Sequence, residues 1–175
     1  MSIEHIAVNA KGCSLLTGRN TSIIVLASAA VLLLTSCLVP PHAERQAMVH
    51  AMGHQVMPFD LSMTRHIFEM TEDGGVQQVI VKNPQDREQI QLIRAHLQHE
   101  AMRFQAGDFA DPAALHGADM PGLKELAAGT TRIKVAYAEL PLGAQIAFTT
   151  DELRLITAIH RWFGAQLSDH GPDAT

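Results

Sequence analysis

Apolar positions change their period along this chain, and each period names an element. From Ser22 to Leu34 (SIIVLASAAVLLL) there are 13 residues with no polar face. A helix needs about 20 apolar residues to cross a bilayer, so this run is too short for a permanent span. It follows Lys11 and Arg19 and precedes small residues, the order of an export signal. Further on the pattern becomes amphipathic. MTRHIFEMT (Met63 to Thr71) and VQQVIVK (Val76 to Lys82) flank Glu72-Asp73-Gly74-Gly75 and predict a hairpin. Asn83 as N-cap and Pro84 as first helical residue predict a helix to about Ala106, striped by Ile90, Ile93, Leu97, Ala101 and Phe104 and stopped by Gly107. TRIKVAYAEL (Thr131 to Leu140) and AQIAFT (Ala144 to Thr149), joined by Pro141-Leu142-Gly143, predict a second hairpin. Thr149-Thr150-Asp151-Glu152 matches a capping box for a second helix to about Ser168, striped by Leu153, Ile156, Ile159, Phe163 and Leu167.

Strand, strand, helix thus occurs twice, and QLIRA (Gln91 to Ala95) and RLITA (Arg154 to Ala158) hold the same place in the two helices. The expected fold is α+β, a two-layer sandwich in which two ββα units form a four-stranded antiparallel sheet with two helices on one face. The alternative is that the copies pair between subunits. The chain divides into a leader (1–36), a segment from 37 to 58, the ββαββα domain (59–171) and a tail (172–175). Residues 38 to 58 carry Pro40, Pro41, Gly53 and Pro58 with no sustained apolar period, and read as a tether. Between the units, Gly107 to Gly129 is a 23-residue connection. Connections beyond about 15 residues are usually functional, so a site is expected there. Within it Asp111-Pro112 can start one helical turn that Gly117 ends, and Pro121 to Leu126 can make another.

Leu34-Thr35-Ser36-Cys37 resembles the bacterial lipobox, whose cysteine is diacylated and becomes the new N-terminus. That resemblance implies an exported lipoprotein of the cell envelope, on the periplasmic side or the cell surface, with the membrane as partner through lipid on Cys37. Of the two cysteines, Cys13 falls in the leader, so no disulfide framework is expected in the mature chain. The leader contains Glu4, Lys11 and Arg19; the remaining 11 basic and 17 acidic side chains give a net charge of −6, which argues against nucleic acid as a partner.

Nine histidines and seven methionines lie beyond the leader. Imidazole with thioether suits copper, so a transition metal, copper first, is the candidate ligand, with no cofactor fixed by the sequence and plain drift in tether composition as the other account. Met48, His50, Met52 and His54 alternate, which on an extended chain would put all four on one side. HGADM offers a second cluster, His116, Asp119 and Met120, as a metal or small-ligand loop; the plainer account has Asp119 capping the next turn, Met120 packing and His116 ending the previous turn. His160 and His170 fall on the apolar side of the second helix and read as core residues. His96 and Glu100 are one turn apart and read as an intrahelical pair, while His99 points to solvent. HLQHE is not the HExxH zinc signature, and no phosphate loop, dinucleotide fingerprint or nucleophile elbow occurs.

With RHIFEMTEDGGVQQVIVKNP, LIRAHLQHEAMRFQAGDFADPAALHGADMPGLKEL and HRWFGAQLSDHG in view, the chain resembles, over roughly residues 59 to 171, a poorly characterised family of exported bacterial proteins often labelled aspartate carbamoyltransferase. The resemblance implies an envelope protein. Transcarbamoylation is not expected: a transcarbamoylase catalytic chain is about twice this length with two α/β domains, and no STRT-type run is present to hold carbamoyl phosphate at a helix N-terminus.

The residues therefore point to a non-enzymatic, lipid-anchored protein of the cell envelope with transition-metal capture through Met and His groups as its candidate role, a structural or protein-interaction module as the alternative and an enzyme of unknown reaction third. Several acyl chains at about 0.8 kcal/mol per buried CH₂ would hold an acidic domain on a bilayer. Cys37→Ser should abolish incorporation of a labelled fatty-acid analogue that the natural chain carries at Cys37; an unlabelled natural protein matured at another bond would remove the lipoprotein assignment.

Overall fold

The computed structural model describes residues 41–175. The export signal and the lipobox through Cys37 lie outside the described residues.

The residues read as a tether instead form a helix, α1 (Pro41–Val56). Three features hid it. Pro41 opens the helix, where its missing N–H is no loss. Pro58 lies beyond its end. Gly53 sits inside the helix because a side chain cannot fit: a Cβ there would stand 2.4 Å from Leu61 Cδ1. The apolar period is short but present, with Val49 fully buried and Met52 and Val56 packed against the core.

Two hairpins follow as their alternation requires, β1 (Thr64–Thr71) with β2 (Gly74–Val81), and β3 (Lys134–Leu140) with β4 (Gly143–Thr149). They join through their second strands into one antiparallel sheet of order β1-β2-β4-β3, with Gln77 opposite Ile146 at the seam. After each hairpin comes a helix, α2 (Arg87–Gln105) and α5 (Leu153–His170). The expected α+β sandwich is what forms. Helix α2 starts three residues later than the Asn83 reading because Asp86 is the N-cap, accepting from Gln89 N, while Asn83 Oδ1 closes a turn onto Gln85 N. At α5 no capping box forms; Thr150 Oγ1 accepts from Glu152 N, and the helix runs on to His170.

One face of the sheet is buried through alternate residues, among them Thr64, His66 and Phe68 of β1, Val79 and Val81 of β2, Val135 of β3, and Ala144, Ile146 and Phe148 of β4. The helices cover it crosswise: α2 lies over β3 and β4, whereas α5 lies over β1 and β2. The long connection holds two short helices, α3 (Ala110–His116) and α4 (Leu123–Gly129). Gly122 opens α4 at φ +85 and a Cβ there would meet Ala158 O at 2.1 Å, so glycine allows α4 to touch the α5 backbone. Residues 172–175 are pinned rather than trailing: Thr175 N donates to His66 O at 3.0 Å and Phe68 N donates to Thr175 O at 2.9 Å, which covers the β1 edge. Among the described residues no helix is long and apolar enough to cross a membrane.

Candidate functional site

Polar side chains on inward-facing positions define the site. His66 of β1 and Gln77 of β2 point to the helix side by the same alternation that buries their apolar neighbours. Trp162, Gln166 and His170 lie on α5 at intervals of four and share one face. His96, Glu100 and Phe104 do the same on α2. These residues, with Asp111, Leu115 and His116 of α3 and Val56 and Met57 from the end of α1, enclose a cavity of about 50 Å³. It lies between the sheet and the two long helices, with α1 and α3 completing the wall.

Among the described residues, four buried side-chain atoms lack a hydrogen-bond partner: His66 Nδ1, Gln77 Oε1, Trp162 Nε1 and Gln166 Nε2. All four belong to side chains that line this cavity. A buried polar atom left unpaired costs about 1–3 kcal/mol, so four of them in the side chains around one cavity are a concentrated unmet demand for hydrogen bonds.

The imidazoles form a connected group. The rings of His66 and His170 stack with centroids 4.8 Å apart and planes 9° apart, and His116 meets His170 edge-on at 5.1 Å. His116 is positioned by a chain of charge-assisted bonds. Arg45 of α1 donates from Nε and Nη2 to the two oxygens of Asp169, at 2.9 and 2.6 Å, and Nη2 also donates to His116 O. His116 Nδ1 lies 2.9 Å from Asp169 Oδ2. An ionised carboxylate only accepts, so Nδ1 carries the proton and Nε2 keeps its lone pair. Burial raises the Asp169 carboxyl, but the bonds from Arg45 and His116 outweigh it and hold the group below its ordinary value. Burial lowers His116 against the pull of Asp169. Burial also lowers His66 far below its usual value, and takes His96 and His170 down to about 4. On α2 the sign reverses: burial, reinforced by Asp111, raises Glu100 to about 7. Arg103 binds Glu100 at 3.3 Å, Asp108 at 2.9 Å and also Asp111, tying the connection to α2. Glu100 thus pairs with Arg103 and not with His96.

Of the residues singled out by sequence, His116, Asp119 and Met120 line one surface depression together with Ser168 and Asp169. His116 also lines the cavity, Met120 is buried in the core, and Asp119 is exposed and paired with Lys124; the cap of α4 is Gly122. On a helix, Met48 and Met52 fall on one side and His50 and His54 on roughly the opposite side, so alternation does not bring the four together. Met48 and the two histidines are exposed and Met52 is half-buried. His50 approaches Asp173 at 3.4 Å, and its ring meets that of His54 edge-on at 6.1 Å. No three His, Cys, Asp or Glu side chains among the described residues are grouped to hold a metal. His160 is a satisfied histidine, donating from Nε2 to Thr71 O at 3.0 Å and Gly74 O at 2.8 Å. Sequence reasoning missed His66, Gln77, Trp162 and Gln166; the legible signal was a polar residue on the inward register of a strand or on a helix's apolar stripe. Comparison with family models, curated proteins and solved structures finds no match.

The buried imidazoles set a pH dependence. His96 and His170 have folded values of about 4 against 6.5 in the open chain, so the unfolded state binds more protons between those pH values. Their contribution is full above about pH 6.5 and is lost as pH falls toward 4, on the order of 3 kcal/mol each. Glu100, raised from 4.5 to about 7, works oppositely, its contribution fading as pH rises through that window. Denaturant melts should show stability falling from pH 6.5 to 4; His170→Phe should flatten that fall and Glu100→Gln should steepen it.

Proposed function

We propose that this is a cell-envelope protein, held on the membrane by lipid on Cys37, whose domain binds a small polar molecule in the cavity beneath its two long helices. The observation that carries the reading is that four buried, unpaired polar atoms all belong to side chains that line one cavity. Binding is the simplest use of such a wall: the ligand supplies the missing hydrogen bonds and replaces an unsatisfied interior with a satisfied one. Binding also fits the apolar part of the lining, Leu97, Phe104 and Ile146, which gives a ligand a surface that water does not reward. The protein purified from its own envelope, washed and then denatured, should release one small molecule in near one-to-one ratio. A Gln77→Leu/Gln166→Leu double variant should release little. Equal release from both proteins, or none from either, would remove this reading.

A second reading is transition-metal capture, copper first, narrowed to His50 and His54. It is favoured by their spacing: two histidines four apart on one helix face, both exposed, as in helical zinc motifs. Asp173 beside His50 Nδ1 is the kind of carboxylate that orients a ligating imidazole and leaves Nε2 for the metal. Titration of the full chain with Cu(II) should give a saturable site that His50→Ala and His54→Ala each weaken at least tenfold, while Met48→Leu leaves it unchanged. Affinity no better than that of a generic histidine-containing peptide would end the metal reading.

A further inference from the structure

Resting on the cavity-binding reading, we propose that the ligand is an uncharged molecule of the primary-amide class, of about four heavy atoms, with its carbonyl oxygen toward Trp162 and Gln166 and its N–H toward Gln77.

The unpaired atoms give the complement directly. Trp162 Nε1 and Gln166 Nε2 can only donate, and Gln77 Oε1 can only accept. A ligand that answers all three needs an oxygen with two lone pairs and an N–H or O–H next to it. A carbonyl oxygen takes two N–H donors, and the amide nitrogen on the same plane supplies the proton for Gln77. His66 Nδ1 accepts or donates according to its tautomer and completes the set.

Charge excludes the neighbouring classes. The cations near the cavity are already engaged, Arg103 by Glu100, Asp108 and Asp111, and Arg45 by Asp169 and His116 O. The four imidazoles of the lining, His66, His96, His116 and His170, are held neutral by burial, so a carboxylate would enter without a free cation to meet it. An ammonium brings no acceptor for Trp162 Nε1–H and Gln166 Nε2, and the two carboxylates of the lining, Glu100 and Asp111, are already paired with Arg103. A buried charge without a partner is costly, whereas a neutral amide carries no such penalty.

Size and access agree. About 50 Å³ holds roughly three waters or one molecule of about four heavy atoms. A methyl group on the amide would rest on the apolar wall. Val56, Met57, His96, Glu100 and Asp111 line both the cavity and a surface depression between the end of α1 and α2, so these side chains alone separate the cavity from solvent there.

Trp162 is the only tryptophan in the chain, so its indole N–H gives a single resonance that reports on the cavity. The full chain in mild detergent is titrated separately with acetamide, acetate and methylammonium. Acetamide should move the indole resonance downfield to saturation, and the two ions at equal concentration should not. Gln77→Leu and Gln166→Leu should each weaken acetamide binding at least tenfold. Each should also leave the thermal midpoint unchanged or higher, because an apolar group of like shape replaces an unpaired buried amide. Tighter saturation by acetate or methylammonium would overturn the amide class and leave the binding reading standing. Acetamide affinity unchanged in both variants, or no saturation by any of the three probes, would overturn the amide proposal. The endogenous-ligand release experiment then decides separately whether the cavity binds something else.

Discussion

A buried carboxylate must be paired, and Asp169 is the point where this rule organises the molecule. It sits near the end of α5, largely buried, and takes both donors of Arg45 from α1 and the Nδ1 proton of His116 from α3. One acidic group therefore gathers three helices that are distant in sequence. Removing one partner of such a group leaves the others buried and unpaired, which costs more than the pairing itself contributes. The covering helices inherit their place from this knot: α1 has one well-buried apolar residue besides its half-buried stripe, and α3 is only seven residues long. Neither is a helix that length or amphipathicity alone would hold.

Beneath that cover the interior has two characters. Around Trp162 the rings of Phe104, Phe109 and Phe148 meet it edge-on at 5.4 to 5.8 Å, a rigid arrangement of large apolar surfaces. Towards β1 the packing changes to imidazole on imidazole, His66 on His170. Trp162 stands at the border, its ring in the aromatic group while the residue also lines the cavity and its N–H is left unpaired. The rigid half fixes the position of the groups that the polar half presents, which is what a selective cavity needs.

How much of this could be read from residues alone follows the range of the forces involved. Hairpins and long helices are set by alternation and by striping within about twenty residues, so both ββα units and the sandwich they form were legible. Helix α1 was not, because its justification lies outside it, in Leu61 against Gly53 and in Arg45 reaching Asp169. The cavity failed for the same reason. His116 and His170 were noticed singly, but their meeting with His66 joins residues from α3, α5 and β1, and no local spacing encodes that. Composition did not place the Met and His groups: the methionines are largely divided between core and surface, and alternation loses its meaning once the backbone is helical.

The crosswise placement of the long helices bears on how the repeat can be used. Since α2 lies mainly over β3 and β4 while α5 lies over β1 and β2, most of each unit's sheet face is covered by the helix of the other unit. The units are thus obligate halves of one body and not modules that could be duplicated or separated. Two chains could satisfy the same contacts by exchanging halves, each unit of one chain capped by the helix of the other, with the connection through α3 and α4 as the hinge. Such an exchange would keep the sheet and its core but draw α3 away from Asp169 and Arg45 of the same chain. Assembly by swapping and an intact cavity wall are therefore in competition within this fold.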